Sequence, residues 1–434
     1  LTGRRLFEGE TTSDTLAAPG NAPGAVDRLA TRLVLPVLER LEEGAVLLTL
    51  PDGSTRRLGR EEARPIRLVA HNWRPLRALV TGGDLGAAES YLEGEWSTDD
   101  LPGLVRLFVA NAALFDRETW LTRVARAGDR LLHALNRNTR AGSRRNVGAH
   151  YDLGNDLYRL FLDPSMTYSC ALFDTGEESL EAAQERKLRR IADKARIRPG
   201  DHVLEIGCGW GSFACFAAKE LGARVTGITL SSEQASWAGE RVAREGLSDR
   251  VEIRLVDYRD LPAEGKSYDR VVSIEMLEAV GYRYLPGYFE TVDRLLAPDG
   301  LAVIQSITVP DERHERLLRR PDFIQKHVFP GSHCPSVGAI ASAVAARSRL
   351  LVHHLEDIGA HYAETLRRWR AAFLSNLPEV RRLGYDERFV RLWDFYLAYC
   401  EGAFATRHIG NVQLVLTRSG NRALGPVPAY PDPA

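Results

Sequence analysis

The residues with the plainest chemical capacity stand at 203–211, VLEIGCGWG. An apolar, strand-forming run carries Glu205 and then breaks into Gly207, Cys208, Gly209, Trp210 and Gly211. Glycine reaches positive φ without a Cβ clash and lets backbone N–H groups approach a ligand closely. The spacing is GxGxG, not the GxGxxG of dinucleotide sites, and Glu205 precedes the turn where a carboxylate would meet an amino group. A cationic cofactor bearing an amino acid suits this turn better than a pyrophosphate; its simplest alternative use is a tight strand-to-helix connection. Elsewhere Glu278 follows a strand-like run, Tyr362 opens a helical one, and five cysteines (Cys170, Cys208, Cys215, Cys334, Cys400) form no CxxC pair. An odd number of scattered cysteines in a long chain points to a reducing, cytosolic compartment. The histidines show neither HxH nor HExxH spacing, so no metal site is expected.

Positioning such residues requires a sheet. Strand-like runs at 202–206, 224–228, 251–255, 270–274 and 301–307 alternate with helical runs at 212–221, 232–245 and 285–296. Alternation of this kind implies crossover connections and a mostly parallel α/β sheet. Later come a strand at 350–355, helices at 362–377 and 387–404, and a last strand at 411–417. Upstream, residues 1–25 read as a flexible lead-in rich in Pro, Gly and Ala. A smaller α/β domain is expected over 26–125, with two short strands joined by Pro51-Asp52-Gly53, and a basic linker over 126–149 precedes the main domain at 150–434.

The chain has 434 residues with 57 Lys+Arg and 58 Asp+Glu, which excludes a uniformly basic or acidic protein. The near balance hides a local field: eight arginines and two acids between Arg117 and Arg145 leave that stretch at +6. A solvated helix face is the plain reading; an anionic membrane surface is the functional one. No apolar run reaches the 18 residues that argue for a bilayer span, so any membrane action is expected from the side.

The 203–211 string closely resembles motif I of the class I S-adenosylmethionine (SAM) methyltransferases, which have a Rossmann-like sheet. Many members carry an acid after the second strand; here Thr229, Leu230, Ser231 and Gln234 stand there instead. With HYDLGNDLY at 150–158, YSCA at 168–171, DYRDL at 257–261, EMLEAVG at 275–281, FIQKHVFPG at 323–331 and HYAETL at 361–366, the chain resembles the cyclopropane-fatty-acyl-phospholipid synthase and mycolic acid methyltransferase family. GDLGAAESY at 83–91 resembles the additional N-terminal domain of the phospholipid-acting members.

The resemblance implies a fold, a cofactor and a site. SAM would be surrounded by Tyr168, Ser169, Glu205, Gly207, Cys208, Gly209, Gly211, Thr229, Leu230, Ser231, Gln234, Asp257 and Tyr258. A bicarbonate ion acting as base would be held by Cys170, Glu278, Tyr362 and the backbone of Ile307, and Cys400 aligns with a cysteine sometimes labelled catalytic. Cys400 reads as a small buried hydrophobe before it reads as a nucleophile. Gln305 stands where these synthases have a histidine, and Gln can neither carry charge nor shuttle a proton. This departure resembles members that leave a methylene or methyl branch, as on the route to 10-methylstearic acid, where a separate reductase completes the product. The implied substrate is an unsaturated acyl chain of membrane phospholipid, met at the inner face of the cell membrane, with Arg117–Arg145 and Arg313–Lys326 as docking elements and Tyr168 and Phe173 facing a cationic intermediate. A cyclopropane ring is the alternative product. A nucleic-acid methyltransferase is the remote one and no nucleic-acid partner is expected; a homodimer is compatible with the sequence.

Overall fold

The computed structural model describes residues 22–115, 153–319 and 322–424. It divides into two compact units, the first holding the described residues up to Asp100 together with 113–115. In the first, the helix Ala25–Leu38 precedes strands β1 (Ala45–Thr49), β2 (Thr55–Gly59), β3 (Ile66–Ala70) and β4 (Trp96–Thr98), in the order β2-β1-β3-β4. β1 and β2 are an antiparallel hairpin, as the Pro-Asp-Gly turn predicts; Asp52 Oδ1 accepts from Ser54 N at 2.9 Å and Gly53 sits at φ +84°. The string at 83–91 forms the second half of a helix, Arg74–Leu92, kinked at Gly83. Gly86 in that helix permits a close approach: a Cβ there would lie 2.2 Å from the Ala78 carbonyl oxygen.

The second unit holds residues 101–112 and the described residues from 153 onward, so the helix Leu101–Ala110 groups with it. Packing explains the grouping. This helix lies against the helix Glu387–Ala405, where a Cβ on Gly402 would come within 2.7 Å of Val105 and 3.0 Å of the Pro102 carbonyl.

The main sheet runs β10-β11-β9-β8-β5-β6-β7, with β5 (His202–Ile206), β6 (Arg224–Thr229), β7 (Val251–Leu255), β8 (Tyr268–Ile274) and β9 (Leu296–Thr308) parallel. β11 (Gly410–Arg418) and β10 (Leu350–Asp357) close the edge antiparallel. Strands buried on both faces read as continuous apolar runs. Here Val203, Val225, Val272 and Val303 face the helices Leu180–Ala195 and Ser212–Leu221. Leu204, Ile206, Val271 and Ile304 face Leu285–Leu295 and Val337–Arg347 on the other side. The sheet and crossovers expected from the sequence are present; the helices Leu180–Ala195 and Val337–Arg347 are additional to it.

Candidate functional site: a cofactor cavity and an enclosed carboxylate

The carboxyl ends of β5, β6 and β8 open onto one cavity, the usual place for a ligand in such a sheet. Tyr168, Ser169, Glu205, Gly207, Cys208, Gly209, Thr229, Leu230, Gln234 and Tyr258 line it, together with Lys187, Glu275 and Met276. Gly207 has φ +82°, and a Cβ there would fall 2.8 Å from Met276 Cγ; Gly207 N and Cys208 N both donate to the Ile228 carbonyl at 2.9 Å. The turn is thereby held tight against β6. Thr229 donates through Oγ1 to Gln234 Oε1 at 2.8 Å, and Ser231 caps the following helix by accepting from Gln234 N at 3.2 Å.

Three expected cofactor residues do not line the cavity. Gly211 turns into its helix against Ala238, and Ser231 is the helix cap just described. Asp257 is engaged by Arg259, whose Nε lies 2.8 Å from Oδ1, and Arg259 itself reaches the cavity wall.

Glu205 is 3 % exposed, and its Oε2 is buried without a hydrogen-bond partner. Burial pushes its carboxyl up to about 8 against the opposing pull of Lys187. An unsatisfied buried acceptor facing a cavity is a place for a ligand donor. The glycine turn, the Thr229–Gln234 pair and this orphaned carboxylate oxygen fit an amino-acid-bearing nucleoside such as SAM.

A second cluster lies at the wall formed by Glu275. That residue ends β8 in the left-handed region, φ +50°, where non-glycine side chains are uncommon. Four donors converge on its carboxylate. Cys170 N at 2.9 Å, Gln305 Nε2 at 2.8 Å and Asn411 Nδ2 at 2.6 Å reach Oε1, while the Tyr362 hydroxyl donates to Oε2 at 2.6 Å. Gln413 Nε2 donates to Gln305 Oε1 at 2.9 Å, which fixes the Gln305 amide with its NH₂ toward Glu275. Tyr362 is buried, tilted against Phe404 at 4.5 Å and edge-on to Trp369. Burial and the Glu275 charge push its phenol well above the usual range, so it stays a donor.

The resemblance would have Tyr362 donate to a bicarbonate ion held beside Glu278; here its hydroxyl donates to Glu275. Glu278 instead accepts from Ile307 N and from Ser306 Oγ, and burial, then the neighbouring Glu275 charge, pushes it up to about 8. The three donors assigned to bicarbonate, at Cys170, Tyr362 and Ile307, are therefore all taken by side-chain carboxylates. A bicarbonate ion does not fit: it would have to displace these bonds and lie against the Glu275 charge.

Cys170 is fully buried, and burial followed by the Glu275 charge raises its thiol far above the range of a nucleophile. Its backbone N–H is the part that contacts the site. Burial likewise raises the Cys400 thiol, in the helix Glu387–Ala405, so it is held neutral. Phe173 does not line the cavity; it packs beside Ala171 and Ala183 under the Arg368 guanidinium, 4.6 Å from its ring centre. Tyr168 does line it, its hydroxyl 2.7 Å from that of Tyr396.

Of the two docking elements, residues 117–145 lie outside the described residues. In the other, Phe323 is buried against Phe395 at 4.7 Å and cannot insert into lipid, whereas Arg316 is exposed. Among the described residues, no helix is long and apolar enough to cross a membrane. Glu275, Asn411 and Lys187 were not singled out in the sequence. For Glu275 a signal existed: a carboxylate three residues before Glu278 in the same string that carries the family resemblance.

Comparison with known proteins agrees with this geometry. The profile of the mycolic acid cyclopropane synthetase family matches residues 138–414. The tuberculostearic acid methyltransferase UfaA1 of Mycobacterium tuberculosis is 40% identical over 353 residues, covering 79% of this chain and 81% of that protein. The cyclopropane-fatty-acyl-phospholipid synthase of Escherichia coli K12 is 37% identical over 350 residues, covering 80% and 87% respectively. Among solved structures, the mycolic acid cyclopropane synthase CmaA1 complexed with SAH and CTAB superposes with a TM-score of 0.59 at 31% identity, over 63% of this chain and 98% of that one. With its sheet order, its glycine turn and these matches taken together, the chain belongs to the mycolic acid cyclopropane synthetase family and is a SAM-dependent methyltransferase.

Proposed function

We propose that the chain transfers a one-carbon unit from SAM to the cis double bond of an unsaturated acyl chain of membrane phospholipid, leaving a methylene or methyl branch, with the Glu275 carboxylate as the built-in base. The observation that carries this reading is the convergence of four donors on Glu275 at the place where the resemblance put a bicarbonate ion.

When bound, SAM supplies an electrophilic methyl group. An isolated alkene is a weak nucleophile, so the protein must hold the two partners together and keep water out. Tyr168, Trp369 and Tyr158, with ring centres 5.2 and 5.3 Å from Tyr168, make the wall beside the cavity dry. The alkyl cation left after transfer must lose a proton, and Glu275 is an acceptor fixed on both oxygens. Glu278, pushed up to about 8, holds its proton at neutral pH and does not compete as base. Gln305 cannot relay the proton onward; it orients Glu275.

The branched product is supported by Gln305 and by the 40% identity to the tuberculostearic acid methyltransferase UfaA1. A methylene-branched product would be passed to a separate reductase. Access to acyl chains from the inner membrane face follows from this substrate.

The test uses purified enzyme, SAM and vesicles of unsaturated phospholipid, with products read by mass spectrometry and NMR. Glu275→Gln is expected to bind SAM and form no product, and the wild type to work equally well after bicarbonate is removed. An active Glu275→Gln variant, or activity lost with bicarbonate, would overturn the assignment of the base. A cyclopropane methylene signal without an exocyclic alkene would overturn the branch.

A further inference from the structure

Lys187 has no part in the chemistry above, yet among the described residues it is the most deeply buried cation. It lies on the helix Leu180–Ala195, fully excluded from solvent, and lines the cofactor cavity. An ammonium has three N–H donors. Ser169 Oγ, itself on the cavity wall, accepts one of them at 2.8 Å. Burying an ammonium is costly unless partners complete its shell. Glu205 shows the opposite deficiency on the same cavity, a buried carboxylate oxygen with no donor.

We propose that Lys187, with Ser169, receives the carboxylate of the cofactor's methionine moiety, opposite Glu205, which the family resemblance already places at the amino group. The two side chains form a charge-reversed template for an amino-acid zwitterion. Both ends are short of hydrogen-bond partners without ligand, and a zwitterion supplies what each lacks. The charges support this complementarity. Burial brings the Lys187 ammonium down to about 8, resisted in turn by Glu275, Cys170, Asp163 and Glu205, the groups that act on it. Burial brings Glu205 up to about 8 from the other side. A ligand carboxylate beside Lys187 and a ligand ammonium beside Glu205 would each favour the charged form of the residue it meets. The helix reaches the site because Gln184, one turn before Lys187, donates to the Ser169 carbonyl at 2.9 Å and so fixes the loop that carries Ser169.

A general loss of structure at this position would weaken every ligand of the cavity, whereas a carboxylate receptor discriminates between ligands. Binding of S-adenosylhomocysteine, SAM and decarboxylated SAM is therefore measured by calorimetry on wild type, Lys187→Met, Lys187→Arg and Ser169→Ala. Lys187→Met is expected to weaken SAM and S-adenosylhomocysteine by about tenfold or more, the scale of a lost charge-assisted hydrogen bond. Decarboxylated SAM is expected to change by less than about twofold in the same variant, with Lys187→Arg restoring part of the discrimination. Ser169→Ala should show a smaller loss of the same selectivity. Because Lys187→Met leaves Glu205 without its nearby cation, Lys187→Met/Glu205→Gln is the folded control, and it too should have lost the preference for the carboxylated ligand. Equal weakening of all three ligands, or an unchanged preference for SAM over its decarboxylated form in the double variant, would overturn the proposal. Both outcomes are read without product formation, so they are independent of the base assigned to Glu275.

Discussion

Removing a single hydroxyl tests the enclosed carboxylate. Tyr362→Phe keeps the ring that packs on Phe404 and Trp369 and deletes only the 2.6 Å bond to Glu275 Oε2. A hydrogen bond to a charged group is worth about 1.5–3 kcal/mol, and each 1.4 kcal/mol is tenfold in rate or equilibrium, so the variant should lose about 10- to 150-fold in single-turnover rate. SAM affinity should be unchanged, because Tyr362 does not line the cofactor cavity. The assay is rapid quench of enzyme in excess over unsaturated phospholipid vesicles, with thermal unfolding as the control for folding. A rate within about twofold of wild type would refute the reasoning. So would recovery of the rate on adding bicarbonate, since the phenol would then be serving an ion and not Glu275.

Two further outcomes are expected. Cys400→Ala should retain activity within about twofold and leave the SAM isotherm unaltered, since burial keeps that thiol neutral; loss of activity with intact SAM binding would restore a chemical role for it. Glu278 is protonated in the folded state up to about 8 but ionises near 4.5 when unfolded, so the unfolded state binds fewer protons between those values and stability falls as pH rises through them. Glu278→Gln should therefore lose less stability than wild type between pH 5 and pH 8 in urea titrations, and an equal loss would contradict the burial argument.

The parts of the molecule that were legible in the sequence are those governed by local pattern. VLEIGCGWG is a strand, a turn and a helix start within nine residues, and β5 and the helix Ser212–Leu221 have the bounds the pattern gives. The Thr229–Gln234 pair spans one helix cap and was equally visible. The carboxylate cluster was not. Asn411 reaches Glu275 only because β11 lies antiparallel beside β9, pairing Asn411 with Ile307, a register that nothing near residue 411 announces. Gln305 stands out in the sequence as a departure, but its meaning depends on Gln413 across the same pair of strands. The grouping of Leu101–Ala110 with the second unit is illegible for a related reason: the helix finds its partner near residue 402. The helix Leu180–Ala195 is hard to read from sequence because its buried side includes Gln184 and Lys187, polar residues whose burial makes sense only beside the cavity.

The backbone at Glu275 sets the interests of the fold against those of the site. A residue with a Cβ in the left-handed region costs roughly 1–2 kcal/mol that glycine would avoid. Glu275→Gly would relieve that cost, but it would leave Cys170 N, Gln305 Nε2, Asn411 Nδ2 and the Tyr362 hydroxyl framing a hollow the size of a carboxylate, each buried donor without an acceptor costing about 1–3 kcal/mol. Such a hollow would admit formate or another small oxyanion from solution. One codon thus separates a base carried by the polypeptide from a base borrowed from the medium, and the remaining donors would serve either without rearrangement.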